Sequence, residues 1–399
     1  MQEANDSLDR RGMSVLSLGH MMADMTQGAV PALLPFLIHD RHYSYAAASA
    51  LVLAATVSSS IVQPLFGYFA DRRSLSWLMP VGVLVGTIGV GLVGVLHTYA
   101  LTFAAIVVSG LGVAAFHPEG SRFAAYVSGA KRASGMSLFS LGGNIGFALG
   151  PGLVTPAVLA FGLSGSLVLI VPGAVVAAAL ATQLGHLHGF RPSLESRRGQ
   201  VASAPADWSS FVRLNMVVAA RTFAYFGLLT FVPVYFVDEL GKSEGAGNTA
   251  LIVMLIGGAA GTALGGPIAD RIGRSAVLKT SLGVLPPLIL AFHLASPALA
   301  TVIGFFVGMA TIATFAVTVV MGHEYLPGRI GMASGITLGL SIGLGGLGAP
   351  ILGLAADAWG LDVTLDIITV LPLIGLALAF TLPRGAGARR RPEPAAAAA

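Results

Sequence analysis

"GGPIADRIGR", residues 265–274, is a short polar island in an apolar chain. A related stretch, "GYFADRRSL", occupies residues 67–75. Both carry Gly-x-x-x-Asp-Arg: Gly67, Asp71 and Arg72 in the first copy, Gly266, Asp270 and Arg271 in the second, where Gly273 and Arg274 follow. The two aspartates stand 270 − 71 = 199 residues apart in a chain of 399. A charged motif that recurs at half the chain length points to a duplication.

Other landmarks keep the same offset. "ASGMSLFSLGGNIGFALGP" (133–151) answers to "ASGITLGLSIGLGGLGAP" (333–350). Composition sets the class of the duplicated unit. The chain is 55% hydrophobic and 10% charged, against roughly 25% charged in a soluble domain. A mean hydropathy of +0.82 with 52 glycines fits a polytopic membrane protein, because Gly lets transmembrane helices approach closely. With no cysteine, disulfide frameworks and thiolate sites are excluded. The opening "MQEANDSLDRRG" is too acidic for the basic start of a cleaved signal, so the first apolar run is expected to be retained.

Twelve apolar runs are each long enough for the ~20 residues that cross a ~30 Å hydrocarbon core. They lie near 13–38, 46–70, 76–96, 100–121, 134–160 and 163–184, then near 211–237, 247–269, 275–294, 298–321, 332–356 and 361–382. The predicted organisation is a six-helix bundle over 1–185, a cytoplasmic linker over 186–210, a second bundle over 211–383 and a disordered tail over 384–399. Basic residues orient it. With the N-terminus inside, the inner segments hold Arg10, Arg11, Arg72, Arg73, Arg122, Arg197, Arg271, Arg274 and Arg389 among others, while the outer loops hold only Arg41 and Lys242. This asymmetry places both termini in the cytoplasm of a cell-membrane protein. It accounts for the pI of about 9.6 without nucleic acid. The expected fold is therefore all-α, with twelve transmembrane helices in two pseudo-symmetric six-helix bundles. Such paired halves are the architecture of alternating-access transporters.

"GGPIADRIGR" closely resembles the loop motif of the major facilitator superfamily, Gly-x-x-x-Asp-Arg-x-Gly-Arg, matched by Gly266, Asp270, Arg271, Gly273 and Arg274. The resemblance covers about 13–382. It implies that these residues bridge neighbouring helices as a conformational latch. The first copy keeps Gly67, Asp71 and Arg72 but has "RSL" in place of the terminal Gly-Arg pattern, which predicts a weaker latch. "LSLGHMMADMTQGAVPALLPFL" (16–37), "GLGVAAFHPEGSRFA" (110–124) and "SLFSLGGNIGFALGPGL" (137–153) further resemble the fosmidomycin resistance branch. That resemblance implies a drug exporter that exchanges a proton for an anionic, phosphonate-like substrate. Gly146-x-x-x-Gly150-Pro151 is part of the pattern associated with antiporters, although Val154 and Thr155 stand where a Gly-Gly is usual.

An ionisable group at membrane depth is expensive and suggests function or a buried pair. His20, Asp24 and Gln27 share one face of the first helix by their i, i+4, i+7 spacing. Counting ~1.5 Å per residue from Met13 puts Asp24 roughly 16 Å deep, near the midplane, where transporter sites lie. Asp24 is thus a candidate proton carrier with His20 beside it; the bland alternative is a neutral Asp that packs the helix. Arg221 lies at similar depth in the second half, where the repeat sets it opposite Met21 or Met22. A group that cannot give up its proton suits anion binding or a permanent partner for Asp24. Tyr225, one turn on, is a further substrate contact. His117 and Glu119 flank Pro118, whose missing N–H predicts a local helix break lined by a base and an acid, suited to a proton relay or a simple bend. His323 and Glu324 resemble a degenerate second copy near the inner surface, where a solvated gate or latch fits. Asn144 can contact substrate or bond a neighbouring helix.

The leading expectation is a proton-coupled exporter with a small-molecule substrate, protons and lipid as its partners, acting as a monomer without cofactor or metal. Uptake or uniport of a metabolite is the alternative, since fold does not fix direction. A membrane-embedded enzyme is disfavoured: no His-Glu-x-x-His, Gly-x-Ser-x-Gly elbow or Walker phosphate loop occurs.

Overall fold

The structure, a computed structural model, describes residues 7–72, 75–129, 132–190, 205–327, 333, 336–337 and 341–383. The helices are α1 (Arg10–Arg41), α2 (Tyr45–Arg72), α3 (Leu78–Leu92), α4 (Tyr99–Val127) and α5 (Arg132–Phe161), then a 3-10 segment (Gly162–Leu169) and α6 (Ile170–His188). The second half holds α7 (Trp208–Asp238), α8 (Glu244–Ile272), α9 (Arg274–Leu294), α10 (Pro297–Ile312), α11 (Phe315–Tyr325), α12 (Ser341–Gly346) and α13 (Gly348–Phe380). No strand occurs among the described residues. Helices are what lipid requires, because no water is present to satisfy an open backbone.

Nine helical runs among the described residues are long and apolar enough to cross a membrane, and Leu78–Leu92 is a shorter apolar helix. The run Gly135–His188 has 54 residues. At ~1.5 Å per residue that is about 80 Å, so it makes two crossings that turn at the 3-10 segment. Helix α13 turns at Gly360, whose φ of 85° suits only glycine. Two crossings are therefore joined there as well. The helices fall on the apolar runs of the sequence. One difference lies at the linker: α6 continues into it as far as His188, which contacts Ser76 at 2.7 Å. Residues 191–204 of that linker and the tail 384–399 lie outside the described residues.

Glycines set the closest helix contacts. Along α5, Gly142, Gly146 and Gly150 face the carbonyls of Ser17, Met21 and Met25 on α1. A Cβ on Gly146 would sit 2.0 Å from the Met21 oxygen. Spacing of four keeps the three glycines on one face, so the α1 and α5 backbones touch along a small-residue seam. The antiporter-like Gly146 and Gly150 thus serve this packing. In the second half Gly257, Gly261 and Gly265 of α8 do the same against the carbonyls of Phe305, Met309 and Ala313.

The two halves meet at the end of the bundle opposite the termini. Asn248 Nδ2 donates to the Ala32 carbonyl (3.0 Å) and to Thr155 Oγ1 (2.9 Å). Tyr45 donates its N–H to Asp357 and its hydroxyl to Asp238, each at 2.8 Å. His39 lies 3.5 Å from Glu244. Gly353 packs against Ala46 and Ser49.

Candidate functional site

Asp24 lies on α1 between two imidazoles. His117 Nε2, from α4, is 3.1 Å from Asp24 Oδ1, and His20 Nε2 is 3.3 Å from Oδ2. The far nitrogens are held as firmly: His20 Nδ1 meets the Phe139 carbonyl of α5 at 2.7 Å, and His117 Nδ1 meets the Val113 carbonyl at 2.9 Å. A carbonyl only accepts, so each Nδ1 carries its ring proton. Both Nε2 atoms then face carboxylate oxygens. Two neutral rings would set lone pair against lone pair, so the arrangement calls for a positive species in the gap. His20 is also stacked on Phe139, with ring centroids 4.2 Å apart.

This triad opens on a cavity of about 80 Å³ between the halves. Its walls include Asp24, Asn144 and Phe147 from the first half, and Tyr225, Met254 and Ile312 from the second. Typical small-molecule sites span roughly 300–1,000 Å³, so a drug-sized solute needs the halves to part. Arg221 is buried and donates from Nη1 to Thr314 Oγ1 at 2.9 Å, while its Nε has no hydrogen-bond partner among the described residues. It pairs with no carboxylate among them, and the stretch 328–340 contains no acid. Its turn-mate Tyr225 reaches the cavity wall. Gln27, the other substrate-contact candidate on α1, is half-buried and is not among the residues lining the cavity.

The structure parts His117 from Glu119. Helix α4 runs unbroken through Pro118 instead of opening there. Residues two apart on a helix point to opposite sides, so Glu119 leaves the cavity. Its carboxylate takes Arg122 Nη2 at 2.5 Å and the Leu75 N–H at 2.9 Å, which anchors the chain after α2. In the second half Glu324, at the end of α11, pairs with Arg274. Asp270 and Arg271 are exposed and make no ion pair among the described residues. Gly67, Asp71 and Arg72 lie in the last turns of α2, and their side chains fall outside what is described.

Sequence reasoning missed the convergence of His117 on Asp24. A signal was present: His20 and His117 each lie ten residues from the end of their helix nearest the termini, Arg10 and Val127, hence at equal depth. It also missed Gly143. A Cβ there would lie 2.5 Å from Asp24 Oδ2 and 2.6 Å from His20 Nε2.

The family model for the Major Facilitator Superfamily matches residues 16–349. The chain belongs to that superfamily. It is 31% identical over 376 residues to an uncharacterised MFS-type transporter, YfnC, of Bacillus subtilis, with 92% of each chain covered. It is 29% identical over 373 residues to the fosmidomycin resistance protein of Escherichia coli, again with 92% of each covered. Among solved structures, a bacterial homologue of the human lysosomal transporter Spinster, in an inward-facing and occupied conformation, superposes with a TM-score of 0.76 at 16% identity, covering 96% of this chain and 98% of that one. The nucleoside transporter NupG superposes at 0.72 and 14% identity, covering 94% and 99%. This member of the superfamily is thus a multi-pass membrane transporter for a small molecule, not an enzyme.

Proposed function

We propose that the protein is a proton-coupled exporter of small anionic molecules that works as a monomer by alternating access. The observation that carries this reading is the His20–Asp24–His117 triad on the wall of a cavity shared by both halves. A carboxylate flanked by two imidazoles is a site where protons can be gained and lost as the solute passes. The excess of Arg and Lys on the segments at the end bearing the termini supports a cytoplasmic location for both termini. Contact of the halves at the opposite end then leaves the cytoplasmic side as the route of entry. Arg221, a buried cation without an acidic partner among the described residues, one turn from Tyr225, supports a negatively charged substrate. The name of the Escherichia coli relative supports efflux of an antibiotic.

The test is transport in vesicles with an imposed pH gradient, with fosmidomycin as the first solute. Asp24→Asn should keep solute exchange across the membrane yet lose accumulation against a gradient. Arg221→Ala should weaken binding of anionic solutes, with thermal stability measured alongside. Full gradient-driven export by a well-folded Asp24→Asn protein would sink the coupling assignment. Accumulation in the opposite direction would make the protein an uptake system.

A further inference from the structure

One ring nitrogen each of His20 and His117 and one Asp24 carboxylate oxygen lie within 4.8 Å of one another. Two imidazole nitrogens and a carboxylate form a donor set suited to zinc, nickel or cobalt, and too nitrogen-rich for magnesium or calcium. Ligand atoms ~2.0–2.2 Å from a tetrahedral zinc stand about 3.4 Å from each other; here His117 Nε2 is 3.1 Å from Asp24 Oδ1 and His20 Nε2 is 3.3 Å from Oδ2, so the carboxylate turns one oxygen to each imidazole. Each ring also has the outer partner that metal-bound histidines carry. Nδ1–H donates to a backbone carbonyl, which fixes the tautomer and aims the Nε2 lone pair at the gap.

Other histidine–carboxylate contacts among the described residues lack this convergence. His186 meets Asp9 alone, and His39 meets Glu244 alone. His293 turns its two nitrogens to two different carboxylates, Asp362 and Asp366, so each pair offers only one nitrogen and one carboxylate. Space at the triad comes from Gly143. The α5 backbone passes so close that any side chain there would overlap Asp24 and His20. The remaining face is open, because Asp24 forms part of the cavity wall.

We propose that His20, Asp24 and His117 form a binding site for a borderline divalent cation, with the ion's exchangeable positions facing the central cavity. Oxygen donors of a solute in that cavity could complete the ion's shell, as water or substrate does at open zinc sites. The inference concerns binding alone and holds whatever the direction or coupling of transport.

The experiment uses the purified full-length protein, stripped with chelator and held in detergent or nanodiscs. Zinc chloride is titrated by calorimetry, and cobalt chloride is followed by visible absorption. One equivalent of zinc should bind in the micromolar range or tighter, and cobalt should give the absorption of a four- or five-coordinate ion that zinc displaces. His117→Gln, His20→Gln and Gly143→Ala should each weaken zinc at least tenfold, the last by filling the site without removing a ligand. Absence of stoichiometric binding to the wild-type protein overturns the proposal. So does undiminished binding by folded His117→Gln protein, which would mean adventitious binding at surface histidines. Should the variants fail to fold, X-ray absorption of the zinc-loaded wild type decides: two imidazoles in the shell support the site, and fewer refute it.

Discussion

The loop after the second helix is tied to a glutamate in each half, but with different materials. In the second half Arg274 reaches Glu324 of α11 through side chains alone, with 34% and 38% of those side chains exposed. In the first half the repeat offset sets Leu75 where Arg274 would be, since 274 − 199 = 75. Glu119 there binds the Leu75 backbone N–H and recruits Arg122 from its own helix, with 1% and 15% exposed. The missing motif arginine was expected to leave a weaker latch. That expectation rests on Asp71 and Arg72, whose side chains lie outside what is described; the Glu119 tie of the first half is buried and backbone-anchored, while the Arg274 tie of the second is solvated. A buried pair attracts more strongly but becomes costly when one partner is removed, whereas a solvated pair is screened and easily opened. The comparison predicts that the first tie holds its half together and that the second can break during the transport cycle.

Glu119→Ala should have the largest effect. It takes the buried Glu119 carboxylate away from the half-buried Arg122 guanidinium and leaves the Leu75 N–H unmatched, a loss of about 3–5 kcal/mol. Thermal unfolding in detergent should show a large drop; a shift as small as that of a surface mutation would mean the burial carries no energetic weight. Arg274→Leu copies the first half's residue into the second. It should cost under about 1 kcal/mol in the same assay, because the pair it removes is solvated, and should appear chiefly as altered transport. Equal destabilisation by both substitutions would erase the distinction between the two ties. Asp270→Asn should have the smallest stability effect, within roughly ±0.5 kcal/mol, since Asp270 is exposed. If the motif is a latch, transport at equal expression should still fall, and fall further than for Asp71→Asn. A larger defect at Asp71 would reverse the ranking of the two copies.

Much of this was legible beforehand because a bilayer leaves few options. Apolar runs of crossing length must be helices, and an ionisable group among them must have a reason. Asp24, His20, Asn144 and Tyr225 were marked on those grounds, and the structure places them at or beside one cavity. Arg221 was marked as well, but it turns to Thr314 within its own half and meets no carboxylate among the described residues. Its direction depends on the angle of α7 about its own axis, which depth counting does not give. Glu119 was grouped with His117 because the two are near in sequence. On a helix, two residues of separation put them on opposite faces.

The sequence alone determined the class and the plan: a duplicated, all-helical membrane protein whose polar exceptions are countable. Hydrophobicity at crossing length, the 199-residue repeat and the placement of basic residues are local or periodic signals, so they survive without a structure. Only tertiary structure decided which exceptions meet. The α1–α5 seam lets Gly143 admit the His20–Asp24 edge against α5, and α4 then brings His117 from 93 residues away in the chain (117 − 24) to 3.1 Å. Contacts between distant helices depend on rotation and close approach, which follow from packing small residues against backbone, and no single helix's sequence fixes that geometry.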